Sequence, residues 1–211
     1  MDDSVKLLKK IVSNIENVII GKKKAIEFIL ISLICDGHVL IEDVPGVGKT
    51  TLVSSLSKSI DASFKRIQFT PDILPSDITG FSMYNQKEGT FEFHPGSIMS
   101  NIILADEINR TSPKTQASLL EVMEEKQVTV DGETYYVPSP FMVLATQNPI
   151  EYLGTYPLPE AQLDRFFMKV SIGYPSKEEE SRILAKFQTS NPVHDLKPVA
   201  SGKDIIAIQD R

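Results

Sequence analysis

The chain has 211 residues, 41% of them hydrophobic and 24% charged, and its 22 basic and 28 acidic side chains give a net charge of −6. This composition predicts a globular protein with one sizeable core, and its negative charge argues against a surface that coats nucleic acid. The single cysteine, Cys35, cannot form an internal disulfide, and we expect it in the core of an intracellular protein. The apolar runs are too short to span a membrane, and the acidic N-terminus is unlike a signal peptide, so the sequence predicts a cytoplasmic location.

Two helices are predicted near the start of the chain, because apolar residues recur at helical spacing over residues 5–15 and again over residues 22–34. A short apolar turn, residues 18–21, separates these helices. Ile20 and Gly21 in this turn could cover an adenine ring, and plain core packing explains them equally well.

A phosphate-binding loop is predicted within residues 38–52, which read HVLIEDVPGVGKTTL. An apolar strand leads into this loop, and a helix is expected over residues 50–59. Backbone N–H groups between Gly46 and Lys49 can form a concave anion site that continues into the helix N-terminus. Lys49 would then neutralise the β- and γ-phosphates of ATP, and the Thr50 hydroxyl would bind Mg²⁺.

One position departs from the common pattern G-x-x-x-x-G-K-[ST], because Asp43 stands where the first glycine is expected. The turn formed by Pro45 and Gly46 can compensate for the missing glycine. An ordinary glycine-rich turn with a surface lysine is the alternative, and the strand before and the helix after argue against it. The nucleotide-binding residues predicted in this loop are Pro45, Gly46, Val47, Gly48, Lys49, Thr50 and Thr51.

Irregular backbone and a β-hairpin are predicted after a second strand at residues 64–69. Prolines and a glycine between residues 71 and 80 predict a loss of regular structure, and apolar residues at period two on both sides of residues 85–89 predict the hairpin. Its aromatic side chains could reach toward a partner, and we expect at least some of them to pack onto their own domain. These aromatic residues are Phe81, Phe91 and Phe93.

A pair of carboxylates follows the apolar run at residues 102–105, which predicts a strand buried on both faces of a parallel sheet. Asp106 and Glu107 stand at its carboxyl end, where open α/β sheets bind ligands. Asp106 would order the Mg²⁺ shell, and Glu107 would act as general base on the attacking water. Such a pair means little alone and gains its meaning from the phosphate loop upstream.

A helix, a second hairpin and another buried strand are predicted next. Ser112, followed by a proline, marks the start of the helix, and the sequence Asp-Gly at residues 131–132 predicts a two-residue hairpin turn. The strand at residues 141–145 would bring Asn148 to the same sheet edge as Glu107. There the Asn148 amide could bond the γ-phosphate or the attacking water.

A short helix, a strand and two further helices are predicted for the rest of the chain. Arg165 closes the short helix, which begins near residue 159, and a strand is expected at residues 166–172. A capping box at residues 176–179 opens a helix that reaches about residue 187. Residues 191–198 are predicted to form a linker before another helix that begins near residue 203.

Four stretches of the sequence together resemble the MoxR family of AAA+ ATPases. They read LIEDVPGVGKTTL, FTPDILPSDITG, ILADEINRTSPKTQASLLEVMEE and ATQNPIEYLGTYPLPEAQLDRF, and the likeness covers roughly residues 19–174. The resemblance implies an α/β fold in which helices sandwich a five-stranded parallel sheet, with two β-hairpin insertions. Residues 1–174 would form this AAA+ core, and residues 175–211 would hold a linker and the first elements of an incomplete helical lid.

The same resemblance implies a role for each site residue. These roles are Walker A for Lys49 and Thr50, Walker B for Asp106 and Glu107, sensor 1 for Asn148, and arginine finger, acting on a neighbour's nucleotide, for Arg165. A surface ion pair with Asp164 or Glu160 is the alternative role of Arg165, and Arg110 is the other candidate for the finger. The implied assembly is a homo-oligomeric ring, typically hexameric, that uses ATP and Mg²⁺. Members are similar to chaperones that remodel, mature or insert metal into client protein complexes, often alongside von Willebrand factor A domain proteins.

Two other functions stay open. Rings with similar hairpins include DNA-acting motors and chelatase subunits, and a nucleotide-gated binding module that hardly turns over is a third class. Lys87 is the only cation in the first predicted hairpin and Lys126 the only one beside the second, whereas a loop that tracks phosphates would be expected to carry more. Remodelling of client proteins is therefore the leading interpretation, and nucleic acid is not the expected partner.

Overall fold

The computed structural model describes residues 3–149, 154–187 and 192–210. Helices and strands alternate along most of these residues. The helices are α1 (Asp3–Glu16), α2 (Lys23–Ile34), α3 (Lys49–Ser59), α4 (Pro75–Thr79), α5 (Pro113–Glu125), α6 (Glu160–Leu163), α7 (Lys177–Phe187), α8 (Pro192–Asp195) and α9 (Gly202–Gln209), and a 3₁₀ turn spans Ile108–Arg110. The strands are β1 (Val39–Glu42), β2 (Phe64–Gln68), β3 (Gly80–Asn85), β4 (Thr90–Pro95), β5 (Ile102–Asp106), β6 (Gln127–Val130), β7 (Glu133–Tyr136), β8 (Met142–Gln147) and β9 (Met168–Val170).

Five strands form one parallel sheet in the order β2-β5-β8-β1-β9, which confirms the predicted sheet. Strand β5 is buried at every residue, and β8 at all but its last, because their apolar runs serve both faces. Since β8 lies between β5 and β1, the segments that follow these three strands leave the sheet at adjacent points of one edge. This edge is where an open α/β sheet binds its ligands.

Two layers of helices cover the two faces of the sheet. Side chains alternate between the faces along a strand, so Ile102 and Leu104 of β5 pack with α1, α2 and α3. Ile103 and Ala105 of the same strand pack on the other face with α5. Within the described ranges, no helix combines the length and the apolar character that a bilayer span requires.

Two antiparallel hairpins, β3–β4 and β6–β7, are separate from the main sheet, as predicted. Residues 131 and 132 have φ values of 50° and 84°, which the two-residue turn between β6 and β7 requires. The ring of Phe93 stacks on that of Tyr135 with 3.8 Å between centroids and joins the two hairpins. Phe81, 49% exposed, stacks on His94, and Phe91, 72% exposed, contacts the Tyr84 ring; both contacts lie within the first hairpin, whereas Phe93 reaches the second.

Helix α4 forms where the sequence predicts irregular backbone. Pro75 occupies its first position, which the fixed φ of proline suits. The Asp77 carboxylate accepts a hydrogen bond from the Leu74 N–H at 2.9 Å and so caps the helix. Proline would break a helix in its interior, and here it occupies the first position of the short helix α4. Ile78 of this helix is fully buried.

Two further expectations are wrong. Cys35 is exposed rather than in the core, because it caps the C-terminus of α2 through the bond from its N–H to the Ile31 carbonyl. The predicted linker at residues 191–198 contains α8, whose Val193 carbonyl accepts a hydrogen bond from Lys58 of α3 at 2.8 Å. Residue 191 itself lies outside the described residues.

The capping box of α7 is confirmed. The Ser176 hydroxyl accepts the Glu179 N–H at 3.3 Å, and the Glu179 carboxylate accepts the Ser176 N–H at 2.7 Å. Helix α9 packs on the core helices, because Ile205 is fully buried and the Gln209 amide donates to the Leu33 carbonyl at 2.7 Å. The boundary between residues 174 and 175 stays a prediction.

A buried histidine precedes β1 and predicts how stability depends on pH. His38 Nδ1 accepts the Val143 N–H, and Nε2 donates to the Met123 carbonyl, each at 3.0 Å. Burial lowers the pKa of His38 below its ordinary value of 6.5, against the opposing effect of the Met123 carbonyl and of Asp36. Protonation at Nδ1 would remove the acceptor that Val143 uses.

We expect the free energy of unfolding to fall as the pH drops below about 6.5, because the unfolded chain then binds a proton at His38 that the folded chain refuses. The loss is about 1.4 kcal/mol per pH unit and ends where the pH reaches the lower pKa of the folded state. Urea denaturation between about pH 7.5 and about pH 5.5 measures it. His38→Gln should abolish this component and His194→Gln, at an exposed position, should keep it; equal slopes in both variants would contradict the assignment.

Candidate active site

The loop between β1 and α3 has the geometry of an anion cradle. Gly46 and Gly48 have φ values of 87° and 86°, and a Cβ built at either position meets no atom within 4 Å. Lys49 begins α3, so the N–H groups of the first helical turn have no partner within the helix. Its ammonium bonds the carbonyls of Asp43 and Val44 at 3.3 and 3.4 Å, within the loop. Open space, helix-terminal amides and one cation fit the phosphates of a nucleotide.

Asp43, the departure from the common pattern, has a structural use. The residue is 7% exposed, and one of its carboxylate oxygens accepts hydrogen bonds from the backbone N–H groups of Ile172 and Gly173, the latter at 2.9 Å. The Ser171 hydroxyl lies 3.3 Å from the same oxygen. The start of the phosphate loop is therefore fixed to the segment that follows β9.

Asp106 closes β5 with both of its carboxylate oxygens engaged. One oxygen accepts the Thr146 hydroxyl at 2.6 Å, and the other accepts Arg66 Nε and Nη2 at 3.1 and 2.6 Å. Thr146 and Arg66 belong to the two strands that flank β5, so the sheet itself orients this carboxylate. The side chain stands at the sheet edge predicted for the metal ligand.

Glu107 adopts a left-handed backbone conformation, with φ 59° and ψ 49°, directly after β5. Such a conformation is uncommon outside glycine and is often found at functional sites. The Thr146 hydroxyl accepts the Glu107 N–H at 2.9 Å. The Glu107 carboxylate accepts Gln68 Nε2 at 2.8 Å and Arg110 Nη1 at 2.9 Å. Both carboxylates of the pair are thus held in ion pairs with arginine.

Asn148 follows β8, the strand between β5 and β1. Its backbone therefore leaves the sheet between the carboxylate pair and the phosphate loop, at the edge the sequence predicts. Thr50 is exposed in the first turn of α3, and Pro45 is exposed in the loop before it. The roles of all these residues stay predictions.

An apolar cleft of about 290 Å³ adjoins the phosphate loop. Ile20, Val47 and Thr51 of the predicted nucleotide set line it, together with Ile183 and Leu184 of α7. Apolar walls beside an anion cradle suit the base of a nucleotide. The turn at residues 18–21 thus faces the place where an adenine ring would lie.

Gly21 does not line this cleft and has another role. It has a φ of 77°, and a Cβ built there would collide with the Glu179 carboxylate in the first turn of α7. The positive φ favours glycine at this position, whereas the Glu179 carboxylate, at the end of a flexible side chain, can shift. The turn before α2 and the helix α7 therefore form two facing walls of the cleft.

Arg165 lies away from the other predicted residues. It follows α6, two residues before Phe167, whose N–H bonds the His38 carbonyl just ahead of β1. That places it toward the edge where the strands begin, opposite the phosphate loop. Its guanidinium forms an ion pair with Glu124 of α5 and lies 3.5 Å from the Leu120 carbonyl. The partner is thus neither Asp164 nor Glu160, the two acidic residues nearest in sequence.

Sequence reasoning missed several residues that contact the site. Arg66 and Gln68 of β2 reach the carboxylate pair only because β2 pairs with β5 in a register that sets Gln68 opposite Asp106. Thr146 carries no motif, although its position two residues before Asn148 is a signal once the two strands are known to be neighbours. The apolar side chains of α7 stand out as an apolar cluster at the end of a highly charged helix: Ile183, Leu184 and Phe187.

Several known proteins are similar to this chain. Residues 38–168, more than half of the chain, match the family described as ATPase family associated with various cellular activities (AAA). The uncharacterized protein YeaC of Bacillus subtilis is 58% identical over 99% of this chain and 65% of its own length. Chaperone MoxR1 of Mycobacterium tuberculosis is 44% identical over 98% of this chain and 54% of its own length.

A solved structure shows the same fold. The crystal structure of a protein from Cytophaga hutchinsonii, described as a candidate ATPase, matches with a TM-score of 0.88 and 45% identity over 98% of this chain and 64% of that one. The chain thus spans between half and two thirds of the length of these relatives. On its sequence and its fold, the chain belongs to the MoxR family of AAA+ ATPases.

Proposed function

We propose that this chain binds ATP and hydrolyses it with Mg²⁺ at the edge formed by β1, β5 and β8. One observation carries the proposal: an open phosphate loop and an oriented carboxylate pair lie at the ends of strands separated by β8 alone. Each feature alone occurs in many folds, whereas their juxtaposition is typical of nucleoside triphosphate hydrolysis.

Each residue has a distinct task in this proposal. Lys49 exchanges its loop carbonyls for the β- and γ-phosphates, and Thr50 and Asp106 hold Mg²⁺, which neutralises phosphate charge when bound. Glu107 accepts the proton of the attacking water, and the Asn148 amide orients that water or the γ-phosphate.

Two arginines balance the carboxylates before the nucleotide binds. Arg66 lies on Asp106 and Arg110 on Glu107, at 2.6 and 2.9 Å. Asp106 would hold Mg²⁺ with the same carboxylate that Arg66 contacts. These two ion pairs orient both carboxylates toward the proposed site.

Arg165 acts in trans in this proposal. Its position at the opposite edge from the phosphate loop keeps it from the nucleotide of its own subunit, and within the described residues its guanidinium contacts the exposed Glu124 and the Leu120 carbonyl. A homo-oligomeric ring, hexameric in the whole protein, would bring it to the nucleotide of a neighbour. Such a finger stabilises the charge that develops during phosphoryl transfer.

The ring would remodel, mature or insert metal into client protein complexes in the cytoplasm. The relative named Chaperone MoxR1 supports a chaperone role, and a von Willebrand factor A domain protein is the proposed co-partner. DNA is the less favoured partner, because the tip of the first hairpin carries Lys87 beside Glu88, and the second carries Asp131 and Glu133.

Calorimetric titration with ATP and steady-state phosphate release test this function. We expect ATP to bind, turnover to require Mg²⁺ and stop with EDTA, and turnover per subunit to rise with protein concentration because a neighbour contributes Arg165. DNA added at physiological salt should leave the rate unchanged. An absence of ATP binding would refute the proposal, and stimulation by DNA would favour the DNA-acting alternative.

A further inference from the structure

We propose that Asp43 is a positioning residue that ties the phosphate loop to the segment leading into α7, and thereby sets the width of the nucleotide cleft. The consequence for nucleotide binding rests on the proposed function. The tie itself is a property of the free chain and is tested separately below.

The side chain of Asp43 makes the first half of this tie. A single carboxylate oxygen of this buried residue accepts the N–H groups of Ile172 and Gly173 and lies within hydrogen-bond distance of the Ser171 hydroxyl. Hydrogen bonds to a charged acceptor are stronger than neutral ones. Glycine at position 43 would leave the two amides without this acceptor, beside the 7% exposed Ile172.

The backbone of Asp43 makes the second half. Its carbonyl accepts the Lys49 ammonium at 3.3 Å, and its N–H donates to the Gln147 carbonyl at the end of β8, also at 3.3 Å. One residue therefore contacts the phosphate-binding lysine, the central strand and the segment at residues 171–173. A shift of that segment acts directly on the start of the loop.

The chain beyond residue 173 leads straight to the cleft wall. Gly173 has a φ of 68°, which turns the backbone, and the Tyr174 carbonyl accepts Lys22 Nζ at 2.8 Å. Pro175 and the α7 residues Leu184 and Phe187 then line the cleft, opposite the turn at residues 18–21. Release of residues 171–173 would free this wall to move relative to the phosphate loop.

Substitution by glycine makes a sharp test, because Asp43→Gly restores the common G-x-x-x-x-G-K-[ST] pattern while it removes the tie. Asp43→Asn is the matched control, since its amide oxygen can still accept both backbone N–H groups. Hydrogen exchange of the nucleotide-free protein reports the tie. In Asp43→Gly, amides of residues 172–187 should exchange about tenfold faster or more, and those of β5 and β8 should not change. Unchanged exchange in α7 would overturn the proposal.

The affinity for ADP, compared with the affinity for pyrophosphate, reports whether the loss of the tie changes the nucleotide cleft. Pyrophosphate contacts the phosphate loop alone, whereas ADP also needs the cleft wall. Asp43→Gly should weaken ADP binding about tenfold and pyrophosphate binding less than about twofold, and Asp43→Asn should restore ADP affinity. Equal losses for both ligands, or none for ADP, would overturn the effect on the cleft. If the unchanged protein binds neither ligand, the proposed function fails, while the exchange result still decides the tie.

Discussion

Glu107→Gln should bind ATP as tightly as the unchanged protein and hydrolyse it at least about a hundredfold more slowly. The glutamine oxygen can still accept the bonds from Gln68 and Arg110, so the side chain stays in place. It cannot take a proton from water, which is the task proposed for Glu107. Lys49→Ala should instead lose tight ATP binding, because it removes the cation of the phosphate loop.

Calorimetric titration and single-turnover phosphate release separate the two defects. Lys65→Ala, exposed on β2, and Glu125→Gln, exposed on α5, are controls of matched charge change that should behave like the unchanged protein. Equal losses of binding in Glu107→Gln and Lys49→Ala would show that the roles of Asp106 and Glu107 are wrongly assigned. Full activity of Glu107→Gln would remove it from the chemistry.

Arg165→Ala should reduce turnover by about 10³-fold or more in the assembled protein while leaving ATP affinity in place. The alternative role, one half of an exposed ion pair, is worth about 0–1 kcal/mol of stability. Glu124→Ala distinguishes the two roles, because it breaks the same pair without touching the guanidinium. If Arg165 is a finger, Glu124→Ala should keep its turnover while Arg165→Ala loses it. If Arg165 only forms the ion pair, the two variants should have the same turnover.

Mixing variants tests whether Arg165 acts on a neighbour. A subunit with Arg165→Ala keeps an intact nucleotide site, and a subunit with Lys49→Ala keeps its arginine. Where the two meet, a complete site forms, so the mixture should recover part of the turnover that each variant lacks alone. Light scattering confirms that assembly persists. If no mixing ratio restores turnover in intact assemblies, Arg165 does not act across the interface.

Local signals in the sequence predicted most of the fold. The runs that became β5 and β8 are apolar enough to be buried on both faces, which only a central position in a parallel sheet allows. The turn at residues 131–132 needs positive φ, and Asp-Gly supplies it. Helix α4 was not predicted, because a proline can mark either the end or the first position of a helix. The packing of Ile78 in the core decides between the two, and the local sequence does not show it.

The contacts around the site could not be predicted in the same way. The bonds from Arg66 to Asp106 and from Thr146 to Asp106 and Glu107 depend on which strands lie side by side. Strand order in a parallel sheet is set by connections across the whole domain and leaves no local trace. The carboxylate of Asp43 is a similar case, because its partners lie about 130 residues away in the sequence.

The stacked rings of Phe93 and Tyr135 give the two hairpins a mechanical property. Separate movement of the two hairpins requires the loss of this ring contact, and such an aromatic pair contributes about 0.5–1.5 kcal/mol. The Val137 N–H bonds the Lys126 carbonyl at 3.1 Å, so the second hairpin is anchored to the end of α5. Helix α5 has 13 residues, about 20 Å, and begins just after the turn that holds Glu107. The exposed ring of Phe91 is thus linked, through the stacked rings, the second hairpin and α5, to the turn that holds Glu107.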